Sequence, residues 1–210
     1  MEMDEKSKTV ASILLMVTGM AIVGVIDNFV KFIAIEIGLW QFHFLRSLIA
    51  VPVIVLFGLA VGWKLRPKRI WPVLGRNMFL ASAMFIYFGS LGFFPISAVA
   101  AGLFTAPVLV MLIDAVWSRR AIGPIRLMTA FAGFVGTLMV LNPEVGGLSW
   151  ANLIPVIAGL MYAFGNVATR KWCEGESAVA LLWSYMFLML VFGGIGILYF
   201  YFIPGDQNNY

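Results

Sequence analysis

The sequence predicts an all-α integral membrane protein of about seven transmembrane helices. Three observations lead there. The 210 residues are 62% hydrophobic and only 11% charged, whereas a soluble domain carries about 25% charged residues. The apolar residues fall in continuous runs, and most runs reach the roughly 17–25 residues that cross a hydrocarbon core as a helix. Lysine and arginine sit in every other gap between those runs. The basic places are the N-terminal tail (Lys6, Lys8), the gap 62–76 (Lys64, Arg66, Lys68, Arg69, Arg76), the gap 118–126 (Arg119, Arg120, Arg126) and the gap 170–177 (Arg170, Lys171). The gaps near 93–96 and 142–148 hold neither residue, and the gap 31–38 holds only Lys31. Short cytoplasmic loops collect Lys and Arg, so the pattern predicts a multi-pass protein of the cytoplasmic (inner) membrane, N-terminus inside and C-terminus outside.

The spans follow in order, after a charged cytoplasmic tail over 1–8. The first covers about 9–30; its acidic neighbours Glu2, Asp4 and Glu5 and the lack of an A-x-A site predict a retained helix rather than a cleaved signal. A tight outer turn at Glu36–Gly38 leads to the second, about 37–61. Pro67 and Pro72 break the basic loop that follows. The third span runs from Asn77 to Phe94, where Pro95 ends it, and the fourth covers about 97–117. These two form a tight antiparallel hairpin. Gly123-Pro124 opens the fifth span and Asn142-Pro143 closes it. The linker Glu144–Ser149 marks the main internal boundary; beyond it lie spans at about 149–169 and 178–203.

Small residues at helix-packing spacing (Gly58 and Gly62, Ala98 and Gly102, Ala132 and Gly136) are candidates for close backbone approach in lipid. A shift of about 140 residues lays Gly159 on Gly19, Lys171 on Lys31 and Glu176 on Glu36, a faint internal echo. Five spans separate the two copies, so the second is inserted upside down, as in the inverted repeats of many secondary transporters.

Composition also excludes. Outer-membrane strands alternate apolar and polar residues, and these runs do not. The net charge of +4 sits in juxtamembrane loops, where lipid headgroups account for it, so no nucleic-acid partner is expected and membrane lipid is. The single cysteine, Cys173, forms no internal disulfide and has no metal-ligand spacing around it. No phosphate loop, zinc motif or nucleophile elbow appears. The expectation is therefore no metal, no cofactor and no enzyme.

Ionisable residues inside the runs are few: Asp27, His43, Arg46 and Asp114. A charge at bilayer depth costs at least about 2.5–3.5 kcal/mol, so its default reading is functional and paired. At 1.5 Å per residue, Asp27 sits about 6 Å and Arg46 about 10 Å below the outer edge. His43 and Arg46, spaced i, i+3, share a face. The sequence thus proposes an outer-half cluster of Asp27, Asn28, His43 and Arg46 as a substrate or proton site. The alternative pairs Asp27 with Lys31 at the headgroups and leaves His43 interfacial. Asp114 reads as an edge ion pair with Arg119 or Arg120. Pro107 frees the backbone of Leu103 in mid-span, which with Thr105 nominates the fourth span as a cavity wall. Tyr87, Trp183 and Tyr185 are candidates to line a pathway.

With these residues named, the chain resembles the EamA-like branch of the drug/metabolite transporter superfamily. Phe42-His43-Phe44-Leu45-Arg46 is similar to its F-x-x-x-R element. The run Ala98–Pro107 resembles its signature stretch, and Gly133-Phe134-Val135-Gly136 the glycine pattern that follows. The place of a family glutamate reads Trp117-Ser118-Arg119-Arg120. The resemblance implies ten helices in two inverted five-helix repeats, so 9–143 would be a first repeat and 144–210 a partial second. It implies a secondary transporter, or a truncated part of one, that moves a small organic metabolite by alternating access. A cavity shared between repeats implies truncation, a homodimer or a reduced role, the last being a non-transporting interaction or regulatory protein.

Overall fold

The computed structural model describes residues 7, 9–15, 17–19, 21–22, 25, 37–119, 122–141 and 153–202. All regular structure among them is helical. Among the described residues eight helices follow in order: α1 (Thr9–Gly19), α2 (Leu39–Val61), α3 (Ile70–Ser90), α4 (Ile96–Leu103), α5 (Ala106–Ser118), α6 (Pro124–Leu141), α7 (Ile154–Trp172) and α8 (Ala178–Phe202). The segments Leu39–Val61, Ile96–Ser118 and Ala178–Phe202 are each long and apolar enough to cross a bilayer. This is the all-helical membrane architecture expected, with α4 and α5 together filling the fourth span.

The centre of the bundle is α3 against α7, flanked by α2 against α8 and by α4 and α5 against α7. The two central helices are the more polar ones. They carry Arg76, Asn77, Asn166 and Thr169, and lipid offers such groups no partners. Their buried faces are small: Ala81 and Ala83 on α3, and Ala158, Gly159, Ala163, Gly165 and Ala168 on α7. Small faces let backbones approach where no hydrophobic effect drives helices together. Gly159 shows the limit, because a Cβ there would strike the Gly102 carbonyl and the Thr105 hydroxyl.

Three boundaries and one packing pair differ from expectation. Helix α3 begins at Ile70, not Asn77, because Pro72 lies in its first turn, where the missing N–H has no intrahelical acceptor to lose. It also ends earlier, at Ser90, and Pro95 caps α4 instead of closing α3. The fourth span is broken at Phe104 and Thr105, just before Pro107. Among the described residues, Gly58 and Gly62 form no helix-packing pair. Gly62, at φ 75°, ends α2, with Gly62 N–H to Leu59 O at 3.2 Å and Trp63 N–H to Gly58 O at 2.8 Å, a Schellman cap.

The basic segments 62–69 and 170–177 and the end of α5 meet at one end of the bundle. Lys68 and Arg69 donate their main-chain N–H groups to Glu176, at 2.8 and 2.9 Å. Asp114, near the end of α5, pairs with Arg170 at 3.1 Å and Lys171 at 3.2 Å. Loops 62–69 and 173–177 therefore share a face with the C-terminal end of α5, as the basic charge around them predicts.

Candidate functional site

Helix α2 carries the site's first face. His43, Arg46 and Ser47 fall at i, i+3 and i+4, on one side of the helix. His43 is fully buried. Its ring lies 5.0 Å from Phe85 and 5.0 Å from Phe88 of α3, and 5.4 Å from Phe42, edge-on to each. Among the described residues, neither imidazole nitrogen has a hydrogen-bond partner, and neither does the Ser47 hydroxyl. His43 is thus packed inside the helix bundle.

The Arg46 guanidinium sits 5.7 Å from the Phe42 ring centroid, within cation–π range, and lies beside the Tyr185 hydroxyl of α8. No salt bridge to it appears among the described residues, and its Nε is buried without a hydrogen-bond partner. A cation in a membrane helix is costly to keep unless it is partnered, and among the described residues Phe42 and Tyr185 are what surround this one.

A second arginine braces the site from α3. Arg76 donates through Nε to Thr169 at 2.8 Å and through Nη1 to Asn77 at 2.7 Å. Asn77 donates to Ser184 at 3.2 Å, and Ser184 donates to the Ala180 carbonyl at 2.7 Å. This network ties α3 to α7 and α8 through the buried Asn77 and the half-buried Arg76, Thr169 and Ser184. Arg76 also lies within electrostatic reach of Tyr185 and Tyr162.

At the end opposite the basic loops, an open apolar cleft of about 500 Å³ lies between α3 and the start of α7. Phe85, Ile86, Phe93, Phe94 and Ile154 line it. Phe85 belongs to both features, because its ring also pairs with those of His43 (5.0 Å between centroids), Trp40 (4.9 Å) and Phe192 (6.1 Å).

At the basic end, the Lys68 main-chain N–H, joined by that of Arg69 and by both cationic side chains, holds the Glu176 carboxyl below its ordinary value of 4.5. Burial pushes the Cys173 thiol up, consistent with a protonated, unreactive cysteine.

Asp27 and Asn28 lie outside the described residues. Of the other candidates, the structure brings His43 and Arg46 onto one face. Tyr87 is half-buried and edge-on to Phe88. Thr105 donates to the Gly102 carbonyl at 2.6 Å and faces Gly159 of α7. Pro107 is exposed. Among the described residues, no hydrogen bond or ring contact joins Thr105 or Pro107 to Arg46. Asp114 pairs with α7 rather than with its own neighbour Arg119. The α7 cations reach it because α5 packs on α7.

With the geometry in hand, the chain can be set beside known proteins. It is similar to a protein named riboflavin transporter from Rhizobium johnstonii, 26% identical over 166 residues, which are 79% of this chain and 54% of that protein. A riboflavin transporter from Brucella anthropi is 25% identical over 75% of this chain and 54% of its own length. One from Vibrio cholerae is 25% identical over 42% of this chain and 29% of its own. The chain spans about half the length of the first two. No family model matches it. One solved crystal structure shares the fold at a TM-score of 0.60 and 21% identity, covering 79% of this chain and 58% of that one. These relatives support a membrane transporter family.

Sequence reasoning counted Arg76 with the basic loop and so missed its place in the site. The signal was available. Asn77, Thr169 and Ser184 are polar positions in otherwise apolar runs, and a helix that begins at Ile70 puts Arg76 among them.

Proposed function

We propose that the chain is a secondary transporter, or part of one, of the EamA-like kind, and that Arg46 contacts its solute. The observation that carries this reading is the Arg46 guanidinium, set in a membrane helix with no carboxylate among the described residues and flanked by Phe42 and Tyr185. A solute with carbonyl or anionic groups adds an electron-rich partner, and aromatic walls supply the rest of the surface. The relatives' names make riboflavin the first solute to test. Alternating access between two inverted repeats, 9–143 and a partial second over 144–210, is the mechanism this reading adopts. The connections at the basic end, held by Glu176 and Asp114, would then close the cytosolic side while the cleft at the other end stays open.

The test is growth rescue. Expressed in a riboflavin auxotroph, the chain should lower the external riboflavin needed for growth, and Arg46→Ala should abolish the effect at equal membrane abundance. Rescue by neither form, with the protein present in the membrane, would leave a non-transporting interaction partner as the better reading. Rescue equal in both forms would remove Arg46 from the site.

A further inference from the structure

The cleft between α3 and α7 and the buried His43 share one wall, the ring of Phe85. The cleft holds about 500 Å³, inside the range of sites for small organic ligands. Its lining is almost wholly apolar, and the hydroxyl of its one serine, Ser90, donates to the Ile86 carbonyl at 2.6 Å. It can therefore stack a flat ring but offers no free side-chain donor to orient one. The complementary group lies just behind the wall. His43 is fully buried, and both of its nitrogens lack a partner among the described residues. Buried polar groups in native folds are almost always satisfied, and each exception calls for a cause.

We propose that the cleft is the subsite for a flat fused-ring heterocycle, and that His43 is the specificity-determining residue that hydrogen-bonds its polar edge. Phe85 acts as the door between them. Its ring turns into the open cleft volume, the solute ring stacks against the aromatic wall, and the imidazole gains the partner it lacks. A donor-and-acceptor edge suits His43, because a neutral imidazole offers one of each. Arg46, one helical turn away on the same face, is left for the remainder of the solute. This inference rests on the transport reading and adds to it which end of the solute goes where.

His43 is the only histidine of the chain, so the N-carbethoxyimidazole adduct formed by diethyl pyrocarbonate, read by its own absorbance band, reports on it alone. The experiment uses the full chain in lipid nanodiscs with two probes: lumichrome, which is the fused ring without the sugar-alcohol chain, and ribitol, which is the chain without the ring. Lumichrome should slow His43 acylation at least about 10-fold and should compete with riboflavin, read as loss of flavin fluorescence quenching; ribitol should do neither. Phe85→Ala should speed acylation of the unliganded protein. His43→Phe, which keeps the aromatic box, should weaken riboflavin binding about 10-fold or more, and His43→Gln should restore most of it. Riboflavin binding that lumichrome does not contest, or that leaves His43 acylation unchanged, overturns this inference and leaves the transport reading standing. Wild-type protein that binds neither compound overturns both.

Discussion

The carboxylate of Glu176 accepts the main-chain N–H of Arg69 at 2.9 Å, across 107 residues of sequence. With the Lys68 N–H on its other oxygen at 2.8 Å, and with Arg69 reaching the Trp172 carbonyl at 3.0 Å, one side chain fastens the loop after α2 to the loop after α7. Two main-chain donors on one carboxylate form a charge-assisted pair of bonds, and they join segments that the transport reading assigns to opposite repeats.

Glu176→Gln should loosen this junction, and the pH dependence has a definite sign. Because the folded protein holds Glu176 below its ordinary value of 4.5, its contribution is present above that value and is lost as pH falls through the lower folded value. Thermal unfolding in detergent should show wild type losing its margin over Glu176→Gln as pH drops from neutral to below about 4.5. An unchanging margin would mean that the carboxylate does not hold the loops.

The Asp114 cluster should matter less. The Asp114 side chain is 19% exposed, but its partners Arg170 and Lys171 are 53% and 33% exposed, and such pairs contribute about 0–1 kcal/mol. A double-mutant cycle on Asp114→Asn and Lys171→Met should return a coupling in that range. A coupling above about 2 kcal/mol would place the pair in a dry environment.

Gly159→Val should be severely destabilising, because its first added carbon strikes the Gly102 carbonyl and Thr105 hydroxyl where α7 crosses the break between α4 and α5. Overpacking of this kind costs about 1–3 kcal/mol or more. Gly136→Val on α6 meets nothing within 4 Å among the described residues and should be near neutral. Monodisperse yield and melting temperature of the two variants give the comparison.

Arg76→Lys should fail to replace Arg76. The guanidinium serves Thr169 and Asn77 at once, from two different nitrogens, and a single ammonium cannot reproduce that fork. Leaving buried polar partners unmet costs about 1–3 kcal/mol. Both Arg76→Lys and Arg76→Ala should melt well below wild type, with the lysine variant recovering under half of the loss.

How much of this was legible in the sequence differs by residue, for physical reasons. Span number and the shared face of the basic loops could be read because they depend on local composition. The same composition placed Gly62 in a packing pair, although its role is the left-handed end of α2, which depends on backbone geometry rather than spacing. Pro72 read as a breaker because a proline's effect depends on where in a helix it falls. Asp114 was matched to its sequence neighbours, while the partners it found come from α7, and nothing local encodes that crossing. His43 and Arg46 were singled out as charges in lipid; the aromatic box around His43 is assembled from α3 and could not be seen from α2 alone.

The most direct test of the central claim is riboflavin flux into proteoliposomes that carry only this purified chain. The account predicts saturable uptake above protein-free liposomes, reduced at least about 10-fold by Arg46→Ala and unchanged by Arg119→Ala at the basic end, with both variants correctly reconstituted. Uptake that saturates equally in wild type and Arg46→Ala, or that never exceeds the protein-free background, would contradict it.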